Sequence, residues 1–138
     1  MGQALLSIAI AGALLGSGNA LAQPQGNIIA VGLDFEMDSA VAPAVKKYSD
    51  CTAAASAHQI SDRTTELLRS TNRAIRRCRT VRREAMAEAD VALGQKPGWE
   101  DPNKRAAEIK SAFDNTDASA RKMAREIEEY FEAHFSIR

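Results

Sequence analysis

The stretch CTAAASAHQISDRTTELLRSTNRAIRRC, residues 51–78, begins and ends with the only two cysteines of the chain. On both sides of a polar turn, apolar residues recur three and four positions apart, the period of one helix face. Before the turn this face contains Ala44, Tyr48, Cys51, Ala55 and His58. After the turn it contains Leu67, Thr71, Ala74, Cys78, Val81 and Ala85. The pattern therefore predicts two helices that fold back on each other as an antiparallel hairpin over residues 40–93.

The two cysteines lie at matching distances from this turn. If the chain reverses near residues 62–66, each cysteine lies about eleven residues away, roughly 16 Å along its own helix. A disulfide requires the two Cα atoms to approach within about 4.4–6.8 Å, and facing stripes in this register meet that condition. The sequence therefore favours a structural Cys51–Cys78 disulfide. Two alternatives remain: a redox-active Cys78, whose thiol pKa the adjacent arginines would lower, and half of a metal site.

The sequence around the cysteines also carries a resemblance. YSDC at residues 48–51, followed by CRTVRREA at residues 78–85, resembles a pattern of short exported bacterial proteins that form disulfide-braced helical hairpins. The resemblance covers residues 48–85 and implies the same braced hairpin. It implies no particular activity.

The first 22 residues have the pattern of a signal peptide. An apolar run from Ala4 to Leu15 is followed by breakers and by the small residues Ala20 and Ala22, which suit a signal peptidase. The run is too short to span a bilayer, so no transmembrane segment is expected after cleavage. We expect a periplasmic or secreted protein, and this oxidising compartment favours the disulfide. Because the start of the chain lacks Lys and Arg, an uncleaved anchor remains the alternative.

The remaining chain divides into an N-terminal arm, residues 23–39, expected to be partly ordered, and a single helical domain, residues 40–138. Asp101 and Pro102 are a strong start signal for a third helix over residues 102–135. Its apolar stripe is Ile109, Phe113, Thr116, Ala120, Met123, Ile127 and Tyr130. The polar segment DNTD, residues 114–117, could divide this helix, although a continuous helix is favoured. The predicted fold is all-α and resembles a three-helix bundle, in which the third helix packs on the hairpin or mediates homo-oligomerisation.

Arginines are concentrated in the second helix. Residues 62–83 contain eight arginines against two acids, a local charge of +6 that the rest of the neutral chain cancels. The helical period places four of them on the outer face: Arg69, Arg73, Arg76 and Arg83. Arg77, Arg79 and Arg82 flank the apolar stripe, where their stems can cover apolar surface. The outer face is either a solvated surface or a candidate anion-binding site for lipid headgroups or lipopolysaccharide phosphates. Neutral overall charge and the lack of interleaved aromatic residues argue against nucleic acid.

The sequence contains no recognisable catalytic motif. His58 and His134 have no companions at zinc-binding spacing, and neither a nucleophile elbow nor a phosphate-binding glycine loop occurs. We therefore expect no catalytic residues, no metal and no cofactor. Trp99, the only tryptophan, either covers the open end of the hairpin or is a candidate interface residue. The leading hypothesis is a non-enzymatic interaction or structural module of the cell envelope, and the alternative is a binder of its anionic components.

Overall fold

The computed structural model describes residues 27–29, 35–57 and 66–135. The predicted signal peptide, His58 and residues 62–65 of the predicted hairpin turn lie outside these residues. The described elements are β1 (Asn27–Ile29), β2 (Glu36–Asp38), α1 (Ala42–Ala57), α2 (Leu67–Arg77), α3 (Arg79–Gly94) and α4 (Pro102–Phe135). The helices form an all-α bundle, as the sequence predicts. The two short strands form an antiparallel ribbon that the sequence analysis did not predict.

A disulfide braces the predicted hairpin. Cys51 of α1 is bonded to Cys78, and their Cα atoms lie 6.0 Å apart, which confirms the structural interpretation of the cysteines. The second predicted helix is divided at Cys78, which lies between α2 and α3 with φ −85° and ψ 14°. The hydrogen-bond ladder nevertheless continues, because the Cys78 N–H donates to Ala74 O and the Arg82 N–H to Cys78 O, both at 2.9 Å. The change in backbone angles thus falls on the residue that is tied covalently to α1.

The long helix α4 packs antiparallel to α2 and α3. Asp101 and Pro102 start it as predicted, with the Asp101 carboxylate accepting the Asn103 N–H at 2.8 Å. The antiparallel direction is shown by three hydrogen bonds, which join Leu68 to Glu128, Asn72 to Arg121 and Arg82 to Asp114. The residue number rises along α2 and α3 while it falls along α4. The helix continues without a break through residues 114–117.

The buried core lies mostly at one end of the bundle. The largest fully buried side chains are Tyr48, Phe113, Met37, Leu93 and Val41. They come from the start of α1, the end of α3, the first half of α4 and strand β2. At the other end, where α2 begins and α4 ends, the buried side chains are the small Ser70, Ala74 and Ala124. One half of the bundle is therefore filled by large apolar side chains, and the other half depends on close contact between small ones.

Candidate functional site

A polar network joins α1, α3 and α4 in the middle of the bundle. The buried Tyr48 hydroxyl donates to Asp117 Oδ1 at 2.6 Å. Arg82 Nη2 lies 2.6 Å from Asp114 Oδ1, and Arg82 Nε lies 3.8 Å from Asp117 Oδ2. The same guanidinium lies 5.7 Å from the ring centre of Phe113. The sequence analysis missed this network. The polar residues that interrupt the apolar stripe of the third helix were the feature that could have indicated it.

The electrostatics of this network indicate a structural brace. Burial raises the pKa of Tyr48 well above its usual range, and the hydrogen bond to Asp117 raises it further, so the phenol stays neutral and donates. The pKa of Asp114 is lowered by its hydrogen bonds from Lys110 and Arg82, so this carboxylate stays ionised. A general acid or base needs a proton that it can exchange near neutral pH. Neither group meets that requirement, and both serve to join helices.

A second polar contact fastens β2 to the loop between α3 and α4. The carboxylate of Asp38 accepts hydrogen bonds from Lys96 Nζ at 2.6 and 2.7 Å and from the Ala40 N–H at 2.8 Å. Burial by itself would raise the pKa of Asp38, but the hydrogen bonds from Lys96 and Ala40 outweigh it and lower that pKa. The ion pair thereby holds the strand beside the core, into which the neighbouring Met37 is inserted.

Trp99 lies in the same loop and packs against the core while remaining partly exposed. Lys104 Nζ lies 4.3 Å from its ring centre, within the range of a cation–π contact. This position agrees with a cover over the end of the bundle. The candidate interface role of Trp99 stays a prediction.

The four candidate anion-binding arginines, Arg69, Arg73, Arg76 and Arg83, are all exposed. Arg69 pairs with Glu66 at 3.3 Å, so part of the outer row is neutralised locally. Of the three arginines expected to flank the core, only Arg82 is largely covered, whereas Arg77 and Arg79 are exposed. The difference arises because α4 packs beside Arg82 and supplies Asp114 to it.

An open groove of about 540 Å³ runs between α2 and α4. Its lining residues are Glu66, Leu68, Arg69, Asn72, Arg76 and Glu128. Arg121 Nε donates to Asn72 Oδ1 at 2.9 Å, which places Arg121 at the α4 wall of this groove. Glu128 accepts the Leu68 N–H at 2.8 Å and satisfies one of the amides left unpaired at the start of α2. The sequence analysis did not single out Arg121, because its proximity to α2 depends on how α4 packs.

The last third of α4 exposes apolar side chains. Only Ile109, Phe113 and Thr116 of the predicted core stripe are buried, and Ala124 is buried where Met123 was expected. Met123 is 51% exposed, Ile127 37%, Tyr130 55% and Phe135 61%. The contacts of α4 with α2 reach Glu128, opposite the start of α2, so the following turns extend past that helix. The predicted stripe is thus wrong in its second half, because α4 there turns Arg121, Ala124 and Glu128 toward α2 and leaves Met123 and Ile127 on a different face.

The aromatic side chains at this end of α4 pack mainly on one another. The Tyr130 ring stacks on His134 with centres 4.2 Å apart, and the Phe131 and Phe135 centres lie 5.3 Å apart. His134 Nδ1 lies 2.8 Å from the Tyr130 carbonyl oxygen, so this imidazole is occupied within its own helix. The apolar end is therefore an organised surface.

Within the described ranges, no group of three or more His, Cys, Asp or Glu side chains could hold a metal ion. In the same part of the chain, no helix is both long and apolar enough to cross a membrane. Comparisons of the chain with protein families, with curated proteins and with solved structures found no match.

Proposed function

We propose that this protein is an exported, non-enzymatic interaction module of the cell envelope that assembles with a second copy of itself through the last third of α4. The observation that carries the proposal is the exposed apolar surface of Met123, Ile127 and Tyr130. These residues are spaced by four and three positions, so they form one stripe along the helix. Such spacing is typical of the seam between two paired helices.

The charges beside this stripe favour a second copy as the partner. On the flank of the stripe, the basic Lys122 precedes Ile127 and the acidic Glu129 follows it. Glu126 also precedes Ile127, and Lys122 lies 3.9 Å from it within the same helix. If two copies pair antiparallel with Met123 and Ile127 at the crossing, Lys122 of each helix faces Glu129 of the other. A two-fold interface uses the same surface twice, and this charge distribution is complementary to itself.

Export is supported by the signal-peptide pattern and by the Cys51–Cys78 disulfide, since disulfides persist mainly in oxidising compartments. The non-enzymatic role is supported by the polar network around Arg82, whose hydrogen bonds and ion pairs tie helices together. An envelope module of this kind works by holding partners rather than by transforming a substrate.

The test compares the self-association of three mature proteins by sedimentation over a concentration series. The wild-type chain is expected to form a dimer, and the variant with Ile127→Gln and Tyr130→Gln is expected to dissociate at least about tenfold more readily, because two apolar contacts per chain are lost. Glutamine is a good helix former, so α4 itself is retained. Val91→Gln is the matched control, since Val91 is 64% exposed on α3, away from the proposed interface.

Circular dichroism and thermal unfolding establish that all three proteins are equally folded. A wild-type protein that remains monomeric at every concentration would contradict the proposal. Equal weakening of the dimer by Val91→Gln would also contradict it, because the interface would then lie elsewhere.

A further inference from the structure

A different flank of α4 forms, together with α2 and α3, a cluster of four arginines. Arg76 lines the groove between α2 and α4, and Arg79 follows it by three residues. Arg121 is held at the opposite wall by Asn72, and Arg125 follows it by one helical turn. Arg79 and Arg125 are exposed, and their spacing puts them on the same helix faces as Arg76 and Arg121, on the helices beside the groove.

The carboxylates near this groove have partners of their own, and Asp117, one turn before Arg121, accepts the Tyr48 hydroxyl. Glu66 is paired with Arg69, and Glu128 accepts the Leu68 N–H. At the far end, Asp114 is paired with Arg82 and Lys110.

Within the described residues, none of the four central arginines forms an ion pair. Four like charges on adjoining helix faces raise the local positive potential, and a bound anion would relieve their repulsion.

We infer that the groove between α2 and α4 binds a phosphate oxyanion through Arg76, Arg79, Arg121 and Arg125. Guanidinium groups donate in a planar fork that matches phosphate oxygens. The hydrogen bond from Arg121 to Asn72 fixes one edge of that guanidinium in advance, which reduces the ordering cost of binding. The site differs from the outer row expected from the sequence, because half of its charge comes from α4. It does not depend on the self-association proposed above.

The experiment uses two probes that both present phosphate oxygens, one as a soluble ion and one as a lipid headgroup. Tripolyphosphate, titrated calorimetrically into the mature protein, represents a soluble phosphate. Vesicles of phosphatidylglycerol, compared with vesicles of phosphatidylcholine by co-sedimentation, represent a lipid headgroup. The wild-type protein is expected to bind at least one probe, with an affinity that falls as salt is added. The probe that binds identifies the source of the phosphate.

Two double variants locate the site. Arg79→Gln with Arg125→Gln is expected to weaken binding by about tenfold or more, since two charge-assisted hydrogen-bonding groups are removed. Lys46→Gln with Arg77→Gln removes the same charge from exposed positions outside the groove and is expected to change the affinity by no more than about twofold. Equal weakening by both variants, equal binding to both kinds of vesicle without tripolyphosphate binding, or wild-type binding to neither probe would overturn the inference.

Discussion

Individual side chains explain why the polar segment within α4 does not divide the helix. Thr116 Oγ1 donates to the Ala112 carbonyl at 2.8 Å, one turn earlier. Asp114 is bound by Arg82, and Asp117 accepts the Tyr48 hydroxyl. Such residues usually break helices because their side chains compete for nearby backbone groups. Here the two carboxylates accept hydrogen bonds from side chains of other helices, so they do not compete for the backbone of α4. The favoured prediction of a continuous helix is confirmed.

The hydrogen bond between Tyr48 and Asp117 predicts a specific alkaline instability. The pKa of Tyr48 is raised in the folded state, so its contribution to stability is complete below the unfolded pKa near 10 and is lost as the pH rises above it. Above about pH 10, this group lowers the free energy of unfolding by up to about 1.4 kcal/mol per pH unit. Tyr48→Phe is expected to cost about 1.5–3 kcal/mol at neutral pH and to remove this slope. Urea unfolding measured from pH 7 to pH 11 tests both effects.

Tyr130→Phe is the control for this measurement, because Tyr130 is exposed and its ring packs on Phe131, His134 and Phe135 near the end of α4. With Tyr48 intact, this variant is expected to keep the alkaline slope. If Tyr48→Phe kept the same slope as the wild type, the proposed role of the buried phenol would be wrong.

Among the structural elements, the braced hairpin shows the closest agreement between sequence and structure. The helical period places Cys51 and Cys78 on facing stripes, and the disulfide forms between them. The spacing of apolar residues does not predict the junction at Cys78. This spacing indicates which helix face is buried, but it does not report small changes in the backbone angles. Neither glycine nor proline occurs at that junction, so the sequence lacks the usual signal for a helix irregularity.

The disulfide closes a loop with a sequence separation of 27 residues. Its removal by Cys51→Ser with Cys78→Ser is expected to lower the free energy of unfolding by about 3.5 kcal/mol, through the greater entropy of the unfolded chain. Chemical denaturation of the oxidised wild type, the reduced wild type and the double variant measures the effect. The reduced wild type should match the double variant, and an unchanged stability on reduction would contradict a structural role for the bond.

At the scale of the whole molecule, the bundle is stabilised unequally along its length. Tyr48 and Phe113 pack with ring centres 5.6 Å apart in the well-filled half. The half that contains the start of α2 and the end of α4 buries alanine and serine, which contribute little apolar area. Both proposed binding surfaces lie toward this less filled half, so their ligands would add stability where the bundle has least of its own.

The same substitution at two positions tests this asymmetry. Phe113→Ala is expected to lower the free energy of unfolding by about 3–5 kcal/mol, because it leaves a cavity at a fully buried site. Phe135→Ala, at a position that is 61% exposed, is expected to change it by no more than about 0.5 kcal/mol. Denaturation at protein concentrations that keep the chain monomeric separates stability from association. Comparable losses for the two variants would show that the end of α4 is part of the folded core.

The sequence by itself predicted the helical hairpin, the start of the long helix at Asp101 and Pro102, and the pairing of the cysteines. Periodicity and capping are local properties of the chain. Asp101 and Pro102 mark a helix start within one turn, and the apolar period places Cys51 and Cys78 on facing sides of two adjacent helices. These features could be predicted because they depend on one helix or on two neighbours joined by a short turn.

The tertiary structure alone decided how far along α4 the hairpin packs. That register buries Ala124 in place of Met123, exposes Ile127 and Tyr130, and brings Arg121 beside Asn72. The apolar stripe of α4 repeats along the whole helix. The period therefore identifies an apolar face, but it does not show which residues of that face are buried by the hairpin helices. Both candidate surfaces depend on which part of α4 the hairpin covers. The packing of α4 against the hairpin helices sets this, and no single segment of the sequence shows it.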